Sequence, residues 1–303
     1  MDMLRLMLAD RLRTRAEDQA NPSRSTPLVP NDGAALRDNT SRTSITWIGH
    51  SSFLIQMGGR NILTDPVWSM RSGIGPFGPA RIVPPGVALA DLPPIDLVLI
   101  SHNHYDHLDY TTICMLGNHP TYLVPARLSG WFHALGCQKV HECGWWEELD
   151  LLGLHFDFVP SQHWSKRTTT DTNKTLWGGW ILSNGSRKLY FAGDSAYFSG
   201  FKLIGERCPG IDIAFMPIGT YEPRYFVQTA HVNPEEAGQA LLDVGARIIV
   251  PMHWGTFRLS TEPIQEPPKR LAAWWAQQRL DPANNWTLAI GETRYFEKGH
   301  RKK

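Results

Sequence analysis

The stretch LVLISHNHYDHLDY, residues 97–110, sets His102, His104, Asp106 and His107 directly behind an apolar run. If the backbone stays extended, side chains 102 and 104 point the same way. A turn then carries Asp106 and His107 to the other side. One short loop thereby offers two pairs of ligands to two neighbouring cations. Imidazole with carboxylate suits zinc, and less selectively iron or manganese. Four ligands do not close two sites, so others must arrive from elsewhere in the chain.

The rest of the sequence supplies candidates in a repeated way. SITWIGHSSFLIQM is β-branched and aromatic, interrupted by a glycine. RNILTDP is a short strand ending at Asp65 and Pro66, and IDLVLISH ends at His102. LHFDFVPSQH ends near His163, RKLYFAGD at Asp194, IDIAFMPIG at Gly219 and ARIIVPMH at His253. Length and composition make these strands. NPEEAGQALLDVG, with Asn233 as N-cap and Pro234 in the first turn, and PPKRLAAWWAQQRL read as helices between and after them. Five runs end at or just beyond a His or Asp. One such ending is ordinary, but five together place a shared polar site along one sheet edge, with sheets supplying rigidity and loops supplying ligands. His163, Asp194 and His253 are the distant ligand candidates.

Composition narrows the function class. The 303 residues carry 30 basic and 29 acidic side chains and no basic tract, which gives no argument for nucleic acid. The apolar share of 42% suffices for a sizeable core. Cys114, Cys137, Cys143 and Cys208 form no C-x-x-C pair, so reduced thiols in a cytoplasmic protein are expected. No apolar run approaches a membrane span. Leu4, Met7, Leu8 and Leu12 recur at helical spacing, an amphipathic segment suited to peripheral membrane contact or to packing on the domain or a dimer partner. The Pro-, Ser- and Asn-rich stretch at about 20–43 reads as a connection, giving an N-terminal extension over 1–43 and one α/β domain over 44–303.

SHNHYDH resembles the signature of the metallo-β-lactamase superfamily. WIGHSSFLI, LTDPVWS, SQHWSKR, DTNKTLWGGW, FAGDSAYF, MPIGTYEPRYF, HVNPEEA and HWGTF extend the likeness from about Ile45 to about Glu262. Together they resemble the branch of N-acyl-phosphatidylethanolamine-hydrolysing phospholipase D. The resemblance implies a four-layer αββα sandwich and two zinc ions. It implies that His102, His104 and His163 hold one zinc, that Asp106, His107 and His253 hold the other, and that Asp194 bridges both. It further implies that Asp65 orients a ligand histidine and that His231 faces the substrate, in phosphoryl contact or protonating the leaving group. The family also suggests a homodimer.

Two close cations lower the pKa of a shared water, so no side-chain nucleophile is required, and no G-x-S-x-G elbow is present. Arg167 is a candidate for bidentate contact with phosphate. Tyr105, inside the ligand loop, is a candidate for substrate contact. His50 is expected as a buried hydrogen-bonding residue near the metals. His119, His133, His141 and His155 have no supporting context. GWWEEL (144–149) and the Gly/Pro-rich stretch 66–86 are candidates for an apolar entrance. The reaction expected is hydrolysis of a phospholipid phosphodiester, releasing N-acylethanolamine and phosphatidic acid. The alternatives are a lactonase or another small-molecule phosphodiesterase on the same centre. An intact ligand set argues against a non-catalytic metal-binding protein.

Overall fold

The structure is a computed structural model and describes residues 26–75 and 77–296, so the amphipathic segment expected at 4–12 lies outside the described residues. Its frame is two sheets. The first has the order β13-β1-β2-β3-β4-β5-β6, built from β1 (Ser44–Gly49), β2 (Ser52–Met57), β3 (Arg60–Thr64), β4 (Leu97–Leu99), β5 (Thr121–Pro125), β6 (Val140–Cys143) and β13 (Thr293–Tyr295). It is antiparallel from β13 to β3 and parallel from β3 to β6. The second has the order β12-β11-β10-β9-β8-β7, from β7 (Glu147–Leu151), β8 (Leu154–Val159), β9 (Gly179–Ser183), β10 (Lys188–Phe191), β11 (Ile213–Pro217) and β12 (Ile248–Met252). It is antiparallel from β7 to β10 and parallel from β10 to β12.

Strands buried on both faces read as nearly continuous apolar runs, as β2, β4, β11 and β12 do. One core lies between the sheets, where Trp47, Phe53 and Ile55 meet Phe158, Trp180, Phe191 and Phe215. The rings of Phe53 and Phe215 are 4.8 Å apart, edge to face. A second core covers the outer face of the first sheet, with Leu54, Leu63, Val98 and Tyr122 packed on Leu36, Ile113 and Phe132. Those last three come from the short helices α1 (Ala34–Arg37), α2 (Tyr110–Leu116) and α3 (Ser129–Ala134). The second sheet is covered by α4 (Gly200–Arg207), α5 (Pro234–Asp243) and α6 (Glu266–Gln277), which bury Phe201, Leu241 and Leu271 in the first core. The layers are therefore αββα in a single domain, as expected. Residues 26–43 run over this domain: Thr26 Oγ1 donates to Gly255 O at 2.6 Å, and Leu28 bridges Ile290.

The stretch SITWIGHSSFLIQM is a hairpin of two strands rather than one interrupted strand, because Gly49 (φ 132°) and His50 (φ 54°) turn the chain between β1 and β2. Two links join the sheets at the ends where the polar runs terminate. Trp180 Nε1 donates to Ile100 O at 2.8 Å, and Gly178 N donates to Ser101 O at 3.1 Å. Beside them Gly193 sits at φ 62°, where a Cβ would stand 2.7 Å from Ser101 Cβ. That close approach brings the end of β10 against the end of β4, and so Asp194 against His102. Gly193→Ala is expected to cost about 2–4 kcal/mol through left-handed backbone strain and overpacking. Urea denaturation checks this; an unchanged midpoint would show that the contact is not a constraint.

Candidate metal centre

Each predicted metal-ligand residue reaches one polar cluster from a strand end. His102 to His107 follow β4, His163 follows β8, Asp194 follows β10 and His253 follows β12. One carboxylate oxygen is the hub. Asp194 Oδ2 lies 3.1 Å from His253 Nε2, 3.2 Å from His107 Nε2, 3.8 Å from His163 Nε2 and 3.9 Å from His102 Nε2.

Around it stand two donor sets. In one, His104 Nδ1 is 2.9 Å from His102 Nε2 and 3.2 Å from His163 Nε2. In the other, Asp106 Oδ2 is 3.3 Å from His253 Nε2 and 3.5 Å from His107 Nε2. Ligands about 2.0–2.1 Å from a tetrahedral cation stand ~3.3 Å from one another, so the second set has the spacing of one coordination shell. The buried atoms His107 Nε2, His253 Nε2 and Asp194 Oδ1 have no hydrogen-bond partner. An orphaned lone pair facing a carboxylate is costly unless a cation lies between them. The residues present therefore fit a metal.

The surroundings fix which nitrogens face inward. Asp65 is fully buried and accepts from Ser101 N at 2.7 Å, from Ser101 Oγ at 2.5 Å and from His107 Nδ1 at 2.6 Å. With its hydroxyl proton given to Asp65, Ser101 can only accept from His102 Nδ1, 2.9 Å away. His163 Nδ1 donates to Ala230 O at 2.9 Å. All three imidazoles thus turn Nε2 toward the cluster and keep Nδ1 for a partner outside it, the orientation ligation requires. His50, buried, places Nε2 2.9 Å from Asp106 Oδ2, in the hydrogen-bonding position expected of it. The backbone N–H of His50 donates to Thr256 Oγ1 at 2.6 Å. Burial raises the carboxyls of Asp106 and Asp194, but their imidazole neighbours, His107 first and then His253, together hold both well below the usual range. Burial, then its imidazole neighbours, holds His102 well below the ordinary histidine value.

His231 does not cap the following helix. Asn233 does, accepting from Glu236 N at 2.8 Å while Glu236 Oε2 accepts from Asn233 N at 3.0 Å, a capping box. His231 is left free to face the hub, its Nδ1 3.9 Å from Asp194 Oδ2. Burial holds its imidazole neutral.

Arg167 and Tyr105 hold one another and the ligand loop. Arg167 Nη1 donates to Leu108 O at 2.7 Å and Asn103 O at 3.1 Å, and the guanidinium lies 4.3 Å over the Tyr105 ring. The Tyr105 hydroxyl donates to Arg167 O at 2.6 Å. The arginine staples the ligand loop through backbone carbonyls. Such a role needs carbonyls distant in sequence, which no local motif announces. Sequence reasoning also passed over Ser101, Thr256 and the wall residues Trp164 and Lys166.

A cavity of about 680 Å³ opens over His104 and Asp106, walled by Ile74, Tyr105, Trp164, Lys166 and Arg167. The 66–86 stretch supplies part of that wall. GWWEEL does not: Trp145 Nε1 donates to Trp177 O at 2.6 Å, and Trp146 packs on the inter-sheet core.

The sequence profile of the beta-lactamase superfamily domain matches residues 60–254. An uncharacterized protein of Mycobacterium tuberculosis is 39% identical over 265 residues, 84% of this chain and 70% of that one. N-acyl-phosphatidylethanolamine-hydrolyzing phospholipase D 1 of Caenorhabditis elegans is 36% identical over 263 residues, 82% of this chain and 74% of that one. Among solved structures, the metallo hydrolase Igni18 of Ignicoccus hospitalis shares the fold, with a TM-score of 0.63 at 23% identity over 85% of this chain and 99% of that one. The chain belongs to the metallo-β-lactamase superfamily, in the branch of these phospholipase D relatives, and is a metal-dependent hydrolase. No described helix is long and apolar enough to cross a membrane.

Asp65→Asn is expected to weaken metal affinity about 10–100-fold by releasing His107, read by competition with a chromogenic chelator; unchanged affinity would remove Asp65 from the site. Chelation is expected to lower the thermal midpoint, since a cation at 100 times its Kd stabilises by about 2.7 kcal/mol. A midpoint indifferent to chelator would mean that the cluster is satisfied without metal.

Proposed function

We propose that this chain is a dinuclear zinc phosphodiesterase of phospholipase D type, which hydrolyses N-acyl-phosphatidylethanolamine to N-acylethanolamine and phosphatidic acid. The observation that carries the reading is the single buried oxygen of Asp194 shared by two donor sets. The lipid assignment is supported by the named activity of the Caenorhabditis elegans relative.

In this reading His102, His104 and His163 would hold one cation, Asp106, His107 and His253 the other, and Asp194 both. When bound, such a pair acidifies water and neutralises phosphoryl oxygens. Asp65 and His50 keep His107 and Asp106 in register for that task. His231, held neutral, presents an N–H to a phosphoryl oxygen or to the departing ethanolamine oxygen. Ile74 and Trp164 offer apolar wall to an acyl chain, and Lys166 adds a cation beside the phosphate.

A cavity of about 680 Å³ also favours a second reading, because it holds a headgroup and a length of chain but not three acyl chains. A small-molecule phosphodiester, or a lactone opened at its carbonyl, fits it without a bilayer.

The deciding assay gives metal-replete protein N-acyl-phosphatidylethanolamine in micelles, with a chelated control, and follows products by mass spectrometry. Chelator-sensitive release of both products is expected. Full metal content with no release would discard the lipid and leave the smaller substrates. Asp194→Asn is expected to abolish turnover together with full metal loading, and retained turnover would sink the bridging role. His231→Ala is expected to keep the metal and lose turnover at least about 100-fold, whereas metal loss would make it a ligand.

A further inference from the structure

The segment from Ala230 to Asn233 presents His231 to the cluster, yet it belongs to no strand and no helix. It crosses from the helical turn Arg224–Val227 to α5. Two of its peptides are pinned by neighbours of the hub. Ala230 O accepts from His163 Nδ1 at 2.9 Å, and Val232 N donates to Ser195 O at 2.8 Å. Between them the carbonyl of His231 itself accepts from Arg224 Nη1 at 2.8 Å.

The same guanidinium spends Nη2 on the carboxylate of Glu236. Glu236 Oε2 in turn accepts at 3.0 Å from the backbone N–H of Asn233, at the far end of the segment. One planar group thereby ties the middle of the segment to the first turn of α5. The side chains of Arg224 and Glu236 are 29% and 30% exposed, and an ion pair so placed adds little to stability. What the guanidinium supplies is direction, through N–H prongs fixed in one plane, which a lysine ammonium lacks. A peptide locked by its carbonyl cannot rock. The imidazole it carries then keeps one bearing toward Asp194 Oδ2, 3.9 Å from its Nδ1.

We infer that Arg224 is a positioning residue, held in place by Glu236, which sets the direction of the His231 ring by fixing the His231 carbonyl. The inference rests on the reading of His231 as the group that meets the phosphodiester. It adds that the aim of this ring is set by an ion pair that does not line the cavity.

The test reads the ring and the reaction separately. In zinc-loaded protein carrying isotope-labelled histidine, the His231 ring signals in magnetic resonance are assigned by their loss in His231→Ala. They are expected to move in Arg224→Ala and to return toward their wild-type positions with millimolar guanidinium, which fills the space the side chain leaves. On the phosphodiester that wild type hydrolyses, Arg224→Ala is expected to lower kcat about 10–100-fold with KM nearly unchanged. Guanidinium is expected to restore part of that loss. Arg224→Lys keeps a charge opposite Glu236 but not the prong on His231 O, so it is expected to share the loss, and it decides the matter if Arg224→Ala fails to fold. In a His231→Ala background the Arg224 substitutions should cost no further turnover, because a residue that acts through another has nothing left to position. Ring signals unmoved by either Arg224 variant, an unchanged kcat, or an equal loss in the His231→Ala background would overturn the inference. Full turnover in His231→Ala alone would instead overturn the reading of His231, and the ring signals would still judge the clamp.

Discussion

A buried carboxylate oxygen cannot stand alone among imidazole nitrogens, and Asp194 Oδ2 has five of them within 3.9 Å, from His102, His107, His163, His231 and His253. Those residues come from four loops that follow β4, β8, β11 and β12. The arrangement persists only if every strand end arrives in register. The inter-sheet core and the two hydrogen bonds crossing near Ser101 meet that demand. Strain is accepted in return: His50, Asp65 and His253 all take left-handed backbone conformations beside the cluster.

Most of this cluster was legible because its His and Asp residues follow apolar strands, where a polar residue breaks an otherwise buried run. His102, His163, Asp194 and His253 all carry that mark. His50 was readable as a hydrogen-bonding neighbour, but the hairpin that presents it was not, since Gly49 interrupts a run that reads as one strand. β6 and β7 escaped notice because they are short and polar, and an edge strand needs no apolar alternation on its solvent side. The partners of Arg167 were not legible for a different reason: the carbonyls of Asn103 and Leu108 become its neighbours only after folding. In GWWEEL, aromatic residues that suggest an entrance serve packing instead.

Rigidity and adaptability are divided between two kinds of segment. The clustered His and Asp side chains sit on strand ends whose buried neighbours are Leu97, Leu99, Phe191 and Met252. The cavity wall comes from loops, with Ile74 left 65% exposed. A hydrolytic centre built this way keeps its chemistry constant while the surface that meets the substrate remains free to differ.

The loop after β3 shows how far that freedom extends. Its neck is laced by Arg81 N to Met70 O at 2.9 Å, by Ser72 N to Pro79 O at 3.0 Å and by the bridge between Arg71 and Ala80. Arg81 then anchors the neck to the Val67 and Ser69 carbonyls. Whatever the tip does is insulated from the strands by this collar. Lineages could therefore lengthen, shorten or recompose residues 73–78 without re-evolving the catalytic apparatus, and the diversification of substrates among related hydrolases would have a ready place to happen.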